Sequence, residues 1–124
     1  MAAKDLKPVE WVGSSYKDFV SFPDAVQDTM GHALYLAQTG RIHSAAKPLK
    51  GFGGSSVVEI VEDDRDGTNR TVYTVKFASA LYVLHAFQKK SRKGNETPRE
   101  EIELVRRRLR IAEEDHAARL RGMR

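Results

Sequence analysis

The residues of this chain best suited to chemistry are basic, and they gather in its second half. Arg70 stands at the head of an apolar run, Lys89 and Lys90 close the next one, and Arg92 and Lys93 follow at once. If the two runs form an antiparallel hairpin, the start of one strand lies beside the end of the other. Arg70 is then brought close to Lys89 and Lys90, although nineteen positions separate them. Tyr73 and His85 fall inside the same hairpin, and Lys47 and Lys50 lie in the loop that leads into it. Whether those two lysines share the rim with Arg70 or sit at the opposite end is left open by periodicity. Guanidinium, ammonium, phenol and imidazole groups without a carboxylate suit a phosphate backbone. The plainer reading is that strand-end lysines keep a sheet edge soluble.

Other chemistries find no support. With no Cys, disulfide scaffolds, thiolate zinc sites and Cys nucleophiles are excluded together. There is no Gly-x-Ser-x-Gly elbow, no Walker-type loop and no His-Glu-x-x-His. The glycine-rich stretch Gly51 to Gly54 lacks both the Lys-Ser/Thr ending and the preceding strand of a nucleotide loop. Asp63-Asp64-x-Asp66-Gly67 lacks the closing Glu of a calcium loop, and turn preference explains its acidity. His32, His43, His85 and His116 are scattered over different elements, so no metal or cofactor site is expected.

The elements that must position these groups are readable from pattern. Pro8 to Val12 reads as a first strand, and residues 14–39 as a helical hairpin. Its second helix is capped at Ser21 with Pro23 in the first turn, carries an apolar stripe at Val26, Met30, Ala33, Leu34 and Ala37, and stops at Gly40. Lys47 to Gly54 reads as a loop. Three strands follow, Val57 to Glu62, Thr71 to Phe77 and Leu81 to Gln88, joined as an antiparallel meander with the last one well covered. Thr97-Pro98-Arg99-Glu100 is a capping box that opens a long helix over residues 98–121, with Ile102, Val105, Leu109, Ala112, His116 and Leu120 on one stripe. The far half of that helix is polar nearly all round and is expected to extend beyond the sheet.

The order predicts one compact α+β domain, a small antiparallel sheet with an N-terminal helical hairpin and a long C-terminal helix. With 124 residues, 40% of them hydrophobic and 31% charged, the chain suits a single globular domain. No run is long enough for a membrane span and no signal-peptide core follows Met1, so a cytoplasmic protein without membrane attachment is expected. Residues 1–88 carry 9 Lys/Arg against 10 Asp/Glu, whereas residues 89–124 carry 12 against 7. All the excess positive charge therefore lies in the last third, where a polyanion such as nucleic acid is the natural partner.

The stretch Arg70-Thr-Val-Tyr73-Thr-Val, then Leu81-Tyr-Val-Leu-His85-Ala-Phe-Gln-Lys89-Lys90-Ser, then Thr97-Pro98 and a helix with Arg-Arg-Leu, resembles the phage-related HigB-like branch of the RelE/ParE toxin superfamily. The resemblance runs from about Lys47 to Ala112, and Leu-His-Ala-Phe-Gln-Lys-Lys-Ser is its specific part. It implies a RelE-like fold and the toxin of a type II toxin–antitoxin pair. The implied activity is metal-independent cleavage of mRNA, often on the ribosome, and the implied partner is a HigA-like helix-turn-helix antitoxin encoded nearby. In that reaction the ribose 2′-hydroxyl attacks the adjacent phosphorus and expels the 5′-oxygen, which requires a base, an acid and fixed positive charge.

By the same resemblance, Arg70 contacts the scissile phosphate, Lys90 protonates or stabilises the leaving group, and Lys89 is a further phosphate contact. Lys47, Lys50, Arg92 and Lys93 would bind flanking RNA. Two lysines that the superfamily carries on its first meander strand correspond roughly to Glu59 and Val61 here, which leaves the base open among Lys50, His85 and Glu59. His85 alternates with Leu81, Val83 and Phe87, which points it toward the core, and Tyr73 is a candidate for orienting the RNA. Tyr35 and Leu36 are candidate antitoxin contacts. Two other functions fit this fold and charge: a ParE-like inhibitor of gyrase, and a basic RNA-binding module without activity.

Overall fold

The computed structural model describes residues 6–90 and 96–122. In chain order they form β1 (Val9–Trp11), α1 (Ser15–Phe19), α2 (Asp24–Gln38), β2 (Ala46–Pro48), β3 (Val57–Asp64), β4 (Gly67–Thr74), β5 (Leu81–Lys89) and α3 (Arg99–Gly122). The strands make one sheet in the order β1-β5-β4-β3-β2, with β1 parallel to β5 and the other neighbours antiparallel.

Strand alternation sorts the apolar residues to two faces. Val58 and Ile60 of β3, Tyr73 of β4 and Leu81 and Val83 of β5 meet the α2 stripe of Val26, Met30, Ala33, Leu34 and Ala37. Val57, Val72, Tyr82 and Leu84 project the other way, onto Val105 and Ala112 of α3 with Ile102 and Leu109 beside them. Because both faces are covered, all eight residues of the middle strand β4 are buried. Burial of each Val, Leu or Ile stabilises the fold by about 1.5–3 kcal/mol.

The helical pair differs from the sequence expectation in proportion. α1 has five residues and α2 fifteen, so the first helix is little more than one turn. Ser21 does not cap α2. Its hydroxyl donates to the Asp18 carbonyl at 2.6 Å and closes α1, while Pro23 takes the capping position without a side-chain bond. The Gln27 amide then donates to the carbonyls of Phe22 (2.8 Å) and Val20 (3.0 Å) and holds the corner between the helices.

The meander is also shifted. Asp64 Oδ1 accepts from the Asp66 backbone N–H at 2.8 Å, so a two-residue turn replaces the seven-residue connection expected from composition. β4 therefore starts at Gly67 rather than Thr71 and ends at Thr74 rather than Phe77, where Thr74 Oγ1 and the Val75 N–H both donate to the Ser56 carbonyl. Gly67 has φ +147°, and a Cβ there would stand 2.3 Å from the Lys89 carbonyl oxygen. Ala46–Pro48, expected as loop, adds an edge strand by pairing with Val58–Ile60. It has no β-branched residue, and Pro48 is tolerated because nothing pairs beyond it among the described residues.

The far half of α3 does not leave the sheet. The Tyr82 hydroxyl donates to Asp115 Oδ2 at 2.7 Å, Arg119 Nε donates to the same oxygen at 2.7 Å, and Arg119 also grips both oxygens of Glu10 at 3.0 and 3.1 Å. The Tyr82 hydrogen bond, helped by Arg119, holds the Asp115 carboxyl below the usual carboxylate range. Among the described residues no helix is long and apolar enough to cross a membrane.

Candidate functional site

One transverse row of residues crosses four strands on the α3 side of the sheet. Lys47 of β2 pairs with Glu59 of β3, Glu59 with Val72 of β4, and Val72 with His85 of β5. Neighbouring strands are about 4.8 Å apart, so cation, carboxylate and imidazole stand at fixed intervals along a rigid surface. One register position on, Arg70 of β4 lies between Val61 and Phe87 on the same face.

Glu59 and Arg70 form the buried centre of this row, at 3% and 2% exposure. Arg70 Nη1 donates to both Glu59 oxygens at 3.2 and 3.3 Å. Thr97, just ahead of α3, donates to Glu59 Oε2 at 2.7 Å and accepts from Arg70 Nη1 at 3.3 Å. The residue that reads as a helix cap thus turns its hydroxyl onto the sheet and joins α3 to this pair. Glu59 opens on one side into a groove of about 350 Å³ whose walls include Lys47, Lys50, Glu96, Thr97 and Ile102.

His85 reaches the row through a β-bulge. Val72 pairs with His85 but Tyr73 pairs with Val83, so Leu84 is an extra residue. The bulge reverses the alternation expected from Leu81 and Val83 and puts His85 on the α3 side. The carbonyl of Leu84 accepts from Arg108 Nη1 at 3.0 Å. His85 Nε2 lies 2.6 Å from Glu101 Oε1, its ring stacks on Phe87 at 4.9 Å, and its buried Nδ1 has no partner among the described residues. With Phe22 and Pro23, His85 and Glu101 border a second cleft of about 320 Å³.

Several expectations change with this geometry. Arg70 does not open its strand beside Lys89. It lies three residues inside β4 opposite Phe87, and Lys89 is opposite Thr68. Lys89 shares the Arg70 face and its Nζ lies 3.5 Å from the Glu96 carbonyl oxygen, whereas Lys90 follows the end of β5 and is exposed. The open three-cation cradle expected around one phosphate is therefore not formed: Arg70 is enclosed and carries the Glu59 carboxylate. Lys47 and Lys50, whose side was undecided, border the groove above that pair.

Tyr73 is on the opposite face, in the core with Val58, Ile60 and α2, and burial pushes its hydroxyl up to about 12. It shares no surface with Arg70. Tyr35 is exposed on α2 and Leu36 half-buried. Arg92 and Lys93 lie outside the described residues. Among the described residues no three His, Asp or Glu side chains group so as to hold a metal ion. Glu101 and the polar role of Thr97 were not foreseen. The available signal was their spacing of four, which puts both at one end of α3 above the sheet.

Comparison with solved structures gives the fold a relative. A variant of the E. coli toxin RelE with two arginines replaced by alanine, in the free state, superposes with a TM-score of 0.50 at 16% identity, covering 67% of this chain and 83% of that one. RelBE2, a toxin–antitoxin complex from Mycobacterium tuberculosis, is similar at a TM-score of 0.46 and 14% identity, over 69% of this chain and 94% of that one. At such identity the first likeness is one of fold. No curated protein sequence matches the chain. The family model for phage-derived Gp49-like proteins (DUF891) matches residues 17–110, so from α1 through the first half of α3 the sequence carries that pattern, and the chain belongs to this family.

Proposed function

We propose that this protein is a HigB-like toxin of a type II toxin–antitoxin pair, a cytoplasmic endoribonuclease that cleaves mRNA, at the ribosome, and is neutralised by a helix-turn-helix antitoxin of the HigA type. The carrying observation is a carboxylate at the floor of a groove bordered by two lysines, locked in place by Arg70 and Thr97. The RelE-type fold and the phage-derived family support the toxin reading.

In this mechanism Glu59 takes the proton of the ribose 2′-hydroxyl, whose oxygen bonds to phosphorus as the bond to the 5′-oxygen breaks. Lys47 and Lys50 neutralise the non-bridging oxygens, and the leaving oxygen takes its proton from Lys50. Arg70 and Thr97 fix the carboxylate, which matters because effective positioning depends on geometry within fractions of an ångström. Lys89 and Lys90 contact the RNA beyond the groove, with Arg92 and Lys93. His85 stands on the other side of Val72 and takes no part in the base step.

The test is cleavage of a short single-stranded mRNA by purified protein in the presence of ribosomes. The products should end in 2′,3′-cyclic phosphate, and a substrate with a 2′-deoxy sugar at the cut position should remain whole. Glu59→Gln, which retains hydrogen-bonding capacity, should slow cleavage by about 10²–10⁴-fold while the circular dichroism spectrum is unchanged. Cleavage of the deoxy substrate, or a folded Glu59→Gln protein with full activity, would overturn the assignment.

The burial of Arg70 against Glu59 favours one second reading, a ParE-like inhibitor of gyrase that needs no open cationic site. That protein would block DNA supercoiling by purified gyrase and leave the mRNA intact in the presence of ribosomes.

A further inference from the structure

The positive charge of the last third is unevenly available on the folded surface. Arg99 pairs with Glu103, Arg119 pairs with Asp115 and Glu10, and Arg108 is turned inward to the Leu84 carbonyl and Ser14 Oγ. Arg106 and Arg110 are exposed and make no ion pair among the described residues. They are one turn apart, on the flank of α3 next to Ile102, which itself borders the groove above Glu59.

Arg106 is held by a second element. Its guanidinium carbon lies 4.7 Å from the ring centroid of Phe52, in the loop between β2 and β3. Phe52 is half-buried against the α3-side core, so the ring is anchored. The neighbouring Gly51 has φ +99°, and a Cβ there would come within 3.1 Å of Arg106 Nη2. A side chain at position 51 would be strained and would press on the guanidinium. The glycine-rich loop that matches no nucleotide motif thus makes room for an arginine from a different part of the chain. Lys50, exposed at the groove's border, precedes it directly.

We propose that Phe52 and Arg106 form a stacking platform for a base of single-stranded RNA next to the linkage held in the groove, with Arg110 taking the adjoining phosphate. The proposal rests on the RNA reading of the groove. A guanidinium held over an aromatic ring loses little freedom when a base stacks on its outer side, and it adds a cation–π contribution. Unpaired cations beside it release counterions on meeting phosphate. An acidic protein surface would use the charges alone and would gain nothing from a guanidinium layered on a ring.

The experiment measures binding without chemistry. A fluorescein-labelled, fully 2′-O-methylated single-stranded oligoribonucleotide has no free 2′-hydroxyl, so its anisotropy reports affinity whether or not Glu59 is the base. Arg106→Lys, which retains the charge and loses the plane, and Phe52→Leu, which removes the support, should each weaken binding about 5- to 100-fold. Arg110→Gln should lessen the slope of log affinity against log salt by about 0.7 with a smaller loss of affinity. Circular dichroism checks folding, and Arg106→Lys, at an exposed position, carries the test if Phe52→Leu is unstable. Wild-type affinity in the folded Arg106→Lys protein would overturn the platform, as it would if the site served an acidic protein. Failure of the wild type to bind the oligonucleotide at low salt would overturn it equally.

Discussion

Truncating Glu59 to Ala leaves the Arg70 guanidinium, 2% exposed, without the carboxylate that two bonds of 3.2 and 3.3 Å now give it. Thr97, just ahead of α3, lies against the same pair. Breaking a buried ion pair from one side costs about 3–5 kcal/mol, since the remaining charge keeps its desolvation cost and loses the attraction of that carboxylate. For a chain of this size such a loss lowers the melting temperature by about 10–20 °C. Removing both charges together is different: Glu59→Leu with Arg70→Met replaces the pair by apolar groups of similar volume, and the double variant should recover to within about 1–2 kcal/mol of the wild type. Urea unfolding followed by circular dichroism, with the slope checked for constancy, measures all three proteins. A Glu59→Ala protein within about 1 kcal/mol of the wild type would show that the pair is not enclosed, and the account of the groove floor would fall with it.

Two further expectations concern the framework of the site. Gly67→Ala drives a methyl group into the Lys89 carbonyl oxygen, which is backbone and cannot swing aside, so stability should fall by about 1–3 kcal/mol in urea; an unchanged midpoint would mean that β4 and β5 do not close there as described. Tyr73 and Tyr82 are each pushed up to about 12 by burial, against about 10 in the unfolded chain. Their stabilisation is complete below pH 10 and is lost as the pH rises toward 12. Tyr73→Phe should therefore remove part of the alkaline loss without changing the stability difference seen near neutral pH, and an identical alkaline midpoint would contradict burial of that hydroxyl.

Whatever depends on near neighbours was legible before folding was considered. The α2 stripe from Val26 to Ala37 and the α3 stripe from Ile102 to Ala112 declare helices because apolar groups three or four apart share a face. β3 and β5 appear as strands through their run of β-branched and aromatic residues. β2 was not legible, because Ala46–Pro48 becomes a strand only by borrowing hydrogen bonds from β3. The start of β4 was misplaced because an Asp-rich sequence suits a long loop as well as the two-residue turn that Asp64 closes.

The candidate site divides along the same line. Sequence alone determined which residues carry charge, that the last third is the basic one, and that the Lys47/Lys50 pair, Arg70 and Lys89 come from three separate elements. Tertiary structure decided which of them meet. Arg70 is enclosed because β4 is the middle strand and Glu59 happens to be its diagonal neighbour; His85 changes face because one residue, Leu84, is surplus in the β5 register; and Thr97 and Glu101 reach the sheet because α3 is docked along its length. Periodicity reports the face of an element, but pairing register and the seating of a helix are settled by contacts between segments tens of residues apart, which no local pattern contains.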